Sequence, residues 1–285
     1  KSNAYGHGLK EICKILNYTS APLIIVDSFP EAQIALRYFK RKILILGEMP
    51  LKAYGYCDFK RTEFIIYNAE TLKYLAHYGK KAQVHLFINS GMNREGIKDL
   101  PNFIEANKKY LNRLEVVGLC SHLASADEKS ILNQAQEAEF MNALVALRSE
   151  GFFPRWVHLG TSAGLLTLDN KLLTAYRPGL ALYGYNPFSD SEESRIDIDD
   201  NLQPALTLKS QIVSVQHLLA NETVSYNETY RASKETNIAI IPFGYFEGLD
   251  RRLSNRAEFS IQTSSELILA PIAGKVCMNL TCLDV

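Results

Sequence analysis

Residues 116–160 read VVGLCSHLASADEKSILNQAQEAEFMNALVALRSEGFFPRWVHLG. Two short runs, VVGLC (116–120) and WVHLG (156–160), are rich in Val and Leu. Runs of this length and composition read as strands buried on both faces. Between them, Glu128–Arg148 has the pattern of a long helix. It opens on the acidic pair Asp127-Glu128, which suits the positive end of a helix dipole. Strand, helix, strand in that order is the repeating unit of a parallel sheet with helical crossovers.

The same alternation extends in both directions. Upstream lie PLIIV (22–26), ILIL (43–46), FIIY (64–67) and VHLFI (84–88), and downstream a further stretch around Leu180–Tyr183. Helix-like segments at Leu9–Leu16, Pro30–Phe39, Ala69–Tyr78 and Leu100–Leu111 separate the upstream runs. That makes seven strands, and the first helix follows an Asn3–Gly8 loop with no strand ahead of it. A crossover unit needs one, so a first strand is expected to precede Lys1. One plus seven suits a (β/α)8 TIM-like barrel, against the alternative of an open doubly wound sheet. The barrel is assigned to 1–188. Residues 189–201, SDSEESRIDIDDN, are acidic and poor in large apolar side chains, and read as an exposed linker. From 202 to 285 the pattern changes to ALTLKSQIVSVQHL, NIAIIPFGY, FSIQTS, LILAPIAG and VCMNLTCL, with β-branched alternation and no helix period. That predicts a mainly antiparallel β domain, which is expected to continue past Val285.

Composition narrows the function classes. Of 285 residues, 47% are hydrophobic and 22% charged, which is globular rather than disordered composition. The 31 Lys+Arg balance the 31 Asp+Glu, so no electrostatic footprint for nucleic acid exists. No apolar run is long enough to span a bilayer, and KSNAYGHG is unlike a signal peptide. Five scattered cysteines without a CxxC pair argue against a zinc site or a disulfide framework, and a reducing cytoplasm is the simplest setting.

Candidate chemistry clusters at the ends of the expected strands, where barrels carry active sites. Lys1 would sit on that rim, and a desolvated Lys there can form a Schiff base with an aldehyde cofactor. Tyr5, Gly6 and Gly8 form a flexible turn into a helix. GTSAG (160–164) offers Ser162 and backbone N–H groups to a phosphate, or simply caps a helix. Arg177 and Gly179 follow in RPGLALYG (177–184), and His122 and Arg94 stand past two other strands. His85 and His158 alternate with apolar neighbours and read as packing residues. In the β domain, Tyr226, Tyr230 and Tyr245 lie in polar turns and could serve as proton donors, anion contacts or packing.

Taken in order, KSNAYGHG, SGMNREG, SHLASAD, LGTSAG, YRPGLALYG, VSYNETY, IPFGYFEG and AGKVCMN resemble the blocks of the alanine racemase family. The likeness runs over nearly the whole chain. It implies a pyridoxal 5'-phosphate (PLP) enzyme that racemises a small amino acid with two bases and supplies D-alanine for peptidoglycan. It also implies a head-to-tail homodimer with shared sites. By motif, Lys1 would be the Schiff-base lysine and one base, and Tyr226 the opposite base, given across the dimer interface. Tyr5, Ser162, Gly179 and Leu180 would hold the phosphate. Arg177 would face the pyridine nitrogen, and His122 would link Arg177 towards Tyr226. Arg94, Tyr245 and Met278 would line the substrate side, the last two from the partner.

One departure matters chemically. Many relatives carry a carbamylated lysine seven residues before the arginine matched to Arg94. Here that position is Phe87, and Asn89 stands where many have Asp. Arg94 is therefore expected to be steadied by Asn89 or by a small bound anion. Three other functions compete: a broader-specificity racemase of the same family, a PLP-dependent decarboxylase, and a barrel-only PLP-binding protein. The roughly eighty residues after the linker argue against the last.

Overall fold

The apolar runs of the first half pair side by side in the computed structural model, which describes residues 1–78, 81–188, 198 and 202–285. Six strands follow one another in sequence order, all parallel: β1 (Leu23–Val26), β2 (Lys42–Ile45), β3 (Thr62–Ile66), β4 (Gln83–Phe87), β5 (Glu115–Cys120) and β6 (Trp156–His158). α1 (Ser2–Tyr5) and α2 (Leu9–Leu16) precede β1, α3 (Phe29–Tyr38), α4 (Leu51–Tyr54), α5 (Ala69–His77), α6 (Leu100–Leu111) and α7 (Ile131–Ser149) lie between the strands, and α8 (Ser162–Thr167) follows β6. Among the described residues this sheet makes six consecutive strands of a TIM-like (β/α)8 barrel.

Alternate residues of each strand face opposite ways. One set, including Ile43, Ile45, Phe64, Ile66, Val84, Leu86, Leu119 and Val157, joins the helices in a single large core. The other set includes Leu44, Ile65, Phe87 and Cys120. Strands of a flat sheet lie about 4.8 Å apart, so β3 and β6 would be separated by about 14 Å. Yet Nη2 of Arg155, just before β6, lies 2.6 Å from Glu63 of β3. The sheet curls, and its inner side chains converge.

The expected seventh strand around Leu180–Tyr183 is instead a 3-10 turn, bracketed by Gly179 and by Gly184 in the left-handed region (φ 83°). The segment that runs beside β6 comes earlier. Thr174 N and Arg177 N donate to the carbonyls of Val157 and Gly160 at 2.9 Å each. Apart from Ile198, the acidic stretch 189–201 lies outside the described residues.

The chain divides into two compact units, Lys1–Leu206 and Thr207–Val285. In the second, β7 (Ser214–Leu218), β10 (Thr236–Ile241) and β13 (Thr281–Asp284) form an antiparallel sheet in the order β13-β10-β7. β8 (Thr223–Val224) pairs with β9 (Tyr230–Arg231), and β11 (Glu258–Gln262) with β12 (Leu267–Pro271), both antiparallel. Ala239, Ile241, Leu249, Ala270, Ile272, Val276 and Leu283 form one core of this unit.

Candidate active site

In the first unit, Lys1, just before α1, lies at the C-terminal end of β1, where its main-chain nitrogen donates to Ile25 O (3.3 Å). α1 is a left-handed turn: Ser2, Asn3, Ala4 and Tyr5 have φ of 51°, 51°, 56° and 57°. That conformation is unfavourable by roughly 1–2 kcal/mol per L-residue, and such strain persists only where surroundings impose it. Glu31 links the turn to the end of β1, its carboxylate accepting from Asn3 N (2.8 Å) and from Asp27 N (2.9 Å). Asn3 Oδ1 also accepts from Leu9 N (2.9 Å), tying the turn to α2.

Ser162, at the start of α8, accepts through Oγ from Gly179 N (2.8 Å) and Ala181 N (3.3 Å). The Tyr5 phenol lies against Gly179, where an added Cβ would stand 2.3 Å from its oxygen. Ser162, Gly179 and Tyr5 are thus gathered around one spot, with Leu180 next to Gly179 in sequence. Burial raises the Tyr5 pKa, keeping it a phenol and a donor.

Arg177 is the most tightly held of the site residues. Its Nη1 donates to His158 Nδ1 (2.7 Å) and His158 O (2.8 Å). Its Nη2 donates to Ser121 O (2.7 Å) and Leu159 O (3.0 Å), with His122 Nδ1 at 3.5 Å. A guanidinium has five N–H groups, so the four terminal ones are occupied and the Nε–H remains. His122 is half-buried on the same rim. Burial, then the positive charges of Arg177, Arg94 and Lys1, push its pKa down to about 4, so its ring is neutral at physiological pH.

Arg94 differs from expectation. Its Nε and Nη2 donate to Glu95 Oε1 at 3.0 and 2.6 Å. Asn89 does not reach it: Asn89 Oδ1 accepts from Gly91 N and Asn93 N, and its amide donates to Asn93 Oδ1. The Asx turn of SGMNREG closes on itself, and the adjacent Glu95 supplies the negative charge. Phe87 packs instead with Tyr67 and Cys120 on the inner face.

In the second unit, Tyr226 opens a 3-10 turn in which Ser225, Asn227 and Glu228 all have positive φ. Ser225 Oγ donates to Lys275 O (2.6 Å). The same segment reaches Tyr245, whose N–H donates to Cys277 O (3.0 Å), while Phe246 N donates to Met278 O (2.9 Å). Tyr226, Tyr245 and Met278 are therefore brought together around residues 274–278, all substantially exposed. Tyr230, by contrast, donates to Asp284 Oδ2 (2.6 Å) and is a packing residue.

Sequence reasoning missed His158 and His85, which are buried but polar partners rather than mere packing. Their common inward face with Glu63 was the available signal. Among the described residues no cluster of His, Cys, Asp or Glu suits a metal ion, and no helix is long and apolar enough to cross a membrane.

Residues 1–187 match the family model described as the alanine racemase N-terminal domain, and residues 205–285 the C-terminal domain model. An alanine racemase of Helicobacter pylori is 34% identical over 293 residues, spanning 98% of this chain and 75% of the relative. "Alanine racemase 2" of Caldanaerobacter subterraneus is 32% identical over 295 residues, spanning 100% and 73%. The solved alanine racemase of Bacillus anthracis with bound L-Ala-P superposes with a TM-score of 0.83 at 28% identity, covering 99% of this chain and 73% of that one.

Proposed function

Because the chain belongs to the alanine racemase family, we propose that it interconverts L- and D-alanine through residues of both units. The enzyme is a PLP-dependent isomerase. Bound PLP acidifies the substrate α-carbon by taking up charge. The residues present fit that group. Tyr5, Ser162, and the N–H groups of Gly179 and Leu180 would hold its phosphate, and Lys1 its aldehyde carbon.

The observation that carries the reading is the Arg177 cage. With both NH2 groups engaged by protein acceptors, the Nε–H is the donor left for the cofactor ring nitrogen. An arginine cannot accept the ring proton, so Arg177 would leave that nitrogen unprotonated, limit how much charge the ring takes up and restrain side reactions such as transamination. It also disfavours the decarboxylase alternative, whose members set a carboxylate there.

Racemisation needs a proton removed on one face and returned on the other. Lys1 Nζ would serve one face and Tyr226 the other, the latter contributed across a homodimer. His122, neutral and beside Arg177, would lie between Arg177 and Tyr226. Arg94, oriented by Glu95, would take the substrate carboxylate, with Tyr245 and Met278 bounding the substrate. We further assign the enzyme to the cytoplasm and its D-alanine to peptidoglycan. The domains proposed are a barrel over 1–188, a linker over 189–201 and a β domain over 202–285.

The test pairs an assay with a map. The PLP-loaded protein should interconvert D- and L-alanine faster than serine or lysine. Borohydride reduction followed by peptide mapping should place the pyridoxyl mass on Lys1. Label on another lysine would overturn the site, and a preference for serine or lysine would favour the broader-specificity alternative.

A further inference from the structure

Behind Arg177, on the inner face of the barrel sheet, lies a line of buried polar side chains that the reaction does not use. Glu63 and His85 are wholly buried, and His158 is 3% exposed. Glu63 sits near the start of β3, at the end of the strands away from the rim. Its Oε2 is 2.8 Å from His85 Nε2, His85 Nδ1 is 2.8 Å from His158 Nε2, and His158 Nδ1 is 2.7 Å from Arg177 Nη1.

Donor bookkeeping fixes the direction of this line. Arginine only donates, so His158 Nδ1 must accept and its proton must be on Nε2. That N–H points at His85 Nδ1, which must therefore accept, so the His85 proton is also on Nε2. It is donated to Glu63, and an ionised carboxylate only accepts. Each link agrees with the next, from cation to carboxylate, through two neutral imidazoles. Burial holds both histidines below the ordinary histidine pKa, for His158 reinforced by the charge of Arg177. Burial would raise the Glu63 carboxyl, but the His85 hydrogen bond and the charges of Arg155 and Lys42 outweigh it.

The fold makes room for this arrangement. A Cβ at Gly118 of β5 would stand 2.0 Å from His85 Nδ1, so glycine is required where the ring crosses β5 to reach β6. The opposite end is anchored: Glu63 Oε1 accepts from Arg155 Nη2 (2.6 Å), and Lys42 Nζ lies 3.6 Å away.

We infer that Glu63, His85 and His158 form a one-way hydrogen-bond relay that positions Arg177, which makes Glu63 a positioning residue for a site at the other end of the barrel. The inference rests on the proposed role of Arg177. Its logic is that the carboxylate selects the tautomers. If Glu63 were replaced by Gln, Arg155 and Lys42 would draw the amide oxygen, leaving the NH2 to face His85. His85 Nε2 would then have to accept, moving its proton to Nδ1. His158 would follow, and its Nδ1–H would face an Arg177 N–H, donor against donor. Arg177 would have to give up that contact and shift.

Nitrogen-15 NMR of the ring nitrogens reads this directly in the holoenzyme. The wild type should show two exchange-protected Nε2–H histidines, and Glu63→Gln should convert both to Nδ1–H. In parallel, Glu63→Gln should lower kcat about tenfold, as loss of an outer-layer hydrogen bond does at other sites, and move the cofactor absorption band. KM for alanine should stay within about twofold, because Arg177 does not touch the substrate carboxylate. Should Glu63→Gln not fold, the wild-type ring-nitrogen spectrum still decides the relay, because it requires Nε2–H on both histidines. An Nδ1–H tautomer or an imidazolium at either histidine in the wild type would overturn the relay. So would a variant with wild-type kcat and absorption. A wild type that does not racemise alanine would overturn the proposed function instead, and leave the NMR result to judge the relay.

Discussion

The two faces of the barrel sheet are built from the same strands and do different work. The outer face is mostly apolar: Ile43, Phe64, Val84, Leu86 and Val157 meet the helices, with Thr62 of β3 a buried polar exception. The inner face mixes Leu44, Ile65 and Phe87 with Glu63, His85 and His158. Outer residues stabilise by area removed from water, at roughly 25 cal/mol per Å². Inner polar residues stabilise only while each donor has its acceptor, since an unmatched buried polar group costs about 1–3 kcal/mol. The outer face should therefore respond to volume and ignore pH, and the inner face the reverse.

The strongest challenge to that contrast is Phe140→Ala. Phe140 of α7 is wholly buried in the outer core. Its truncation should lower the unfolding free energy by about 3–5 kcal/mol, transfer and cavity terms together. Urea unfolding at pH 7.5 and again at pH 6 should give the same loss, with turnover per folded molecule unchanged. A loss that varies with pH would blur the two faces.

The second prediction concerns the polar rim, where a smaller, pH-dependent effect is expected. His122 has a folded pKa of about 4 against an unfolded value near 6.5. Its folded pKa is depressed, so the stability it contributes is present above pH 6.5 and is lost as pH falls towards 4. The full window corresponds to about 3 kcal/mol. Urea unfolding of wild type and His122→Asn should show the wild type losing that amount relative to the variant as pH falls from 7.5 to 4. Parallel curves would mean that the His122 ring titrates normally.

The same contrast explains what was legible in the sequence. Strands β2 to β5 stand out in the sequence because both faces are largely buried, which favours Ile, Val, Leu and Phe at most positions. The long helix over 131–149 was visible, although it starts at Ile131 rather than Glu128, because Ser130 Oγ accepts from Leu132 N and caps it there. The Leu180–Tyr183 turn looked like a strand because its composition is apolar, while its shape is set by Gly179 and Gly184. KSNAYGHG, GTSAG and RPGLALYG marked the rim because local motifs carry local geometry. The Glu63–His85–His158 line did not show, since its members come from three strands and meet only when the sheet curls. Glu95 was passed over for a related reason: a neighbour in sequence reads as a loop charge until its side chain is seen to turn onto Arg94.

The smallest effect belongs to the edge of the outer layer, and it separates helix capping from core volume. Asn68 precedes α5 in extended conformation, and its Oδ1 accepts from Thr71 N at 2.9 Å. α5 in turn lays Leu72 and Leu75, both wholly buried, into the outer core. Asn68→Ala removes one acceptor for an otherwise orphaned helix N–H and should lower stability by about 1 kcal/mol. The amide also donates to Glu48, but Thr71 Oγ1 holds the same carboxylate oxygen at 2.8 Å, so Glu48 keeps a partner. Asn68→Ser should restore most of the loss, because a hydroxyl caps equally well. Asn68→Asp should restore less, since the charge that favours the helix N-terminus would also face Glu48. Thermal unfolding of the three variants should rank Ser above Asp above Ala. If Asp ranks first, the helix dipole outweighs repulsion from Glu48, and the carboxylate of Glu48 is further from this cap than the Asn68 contact places it.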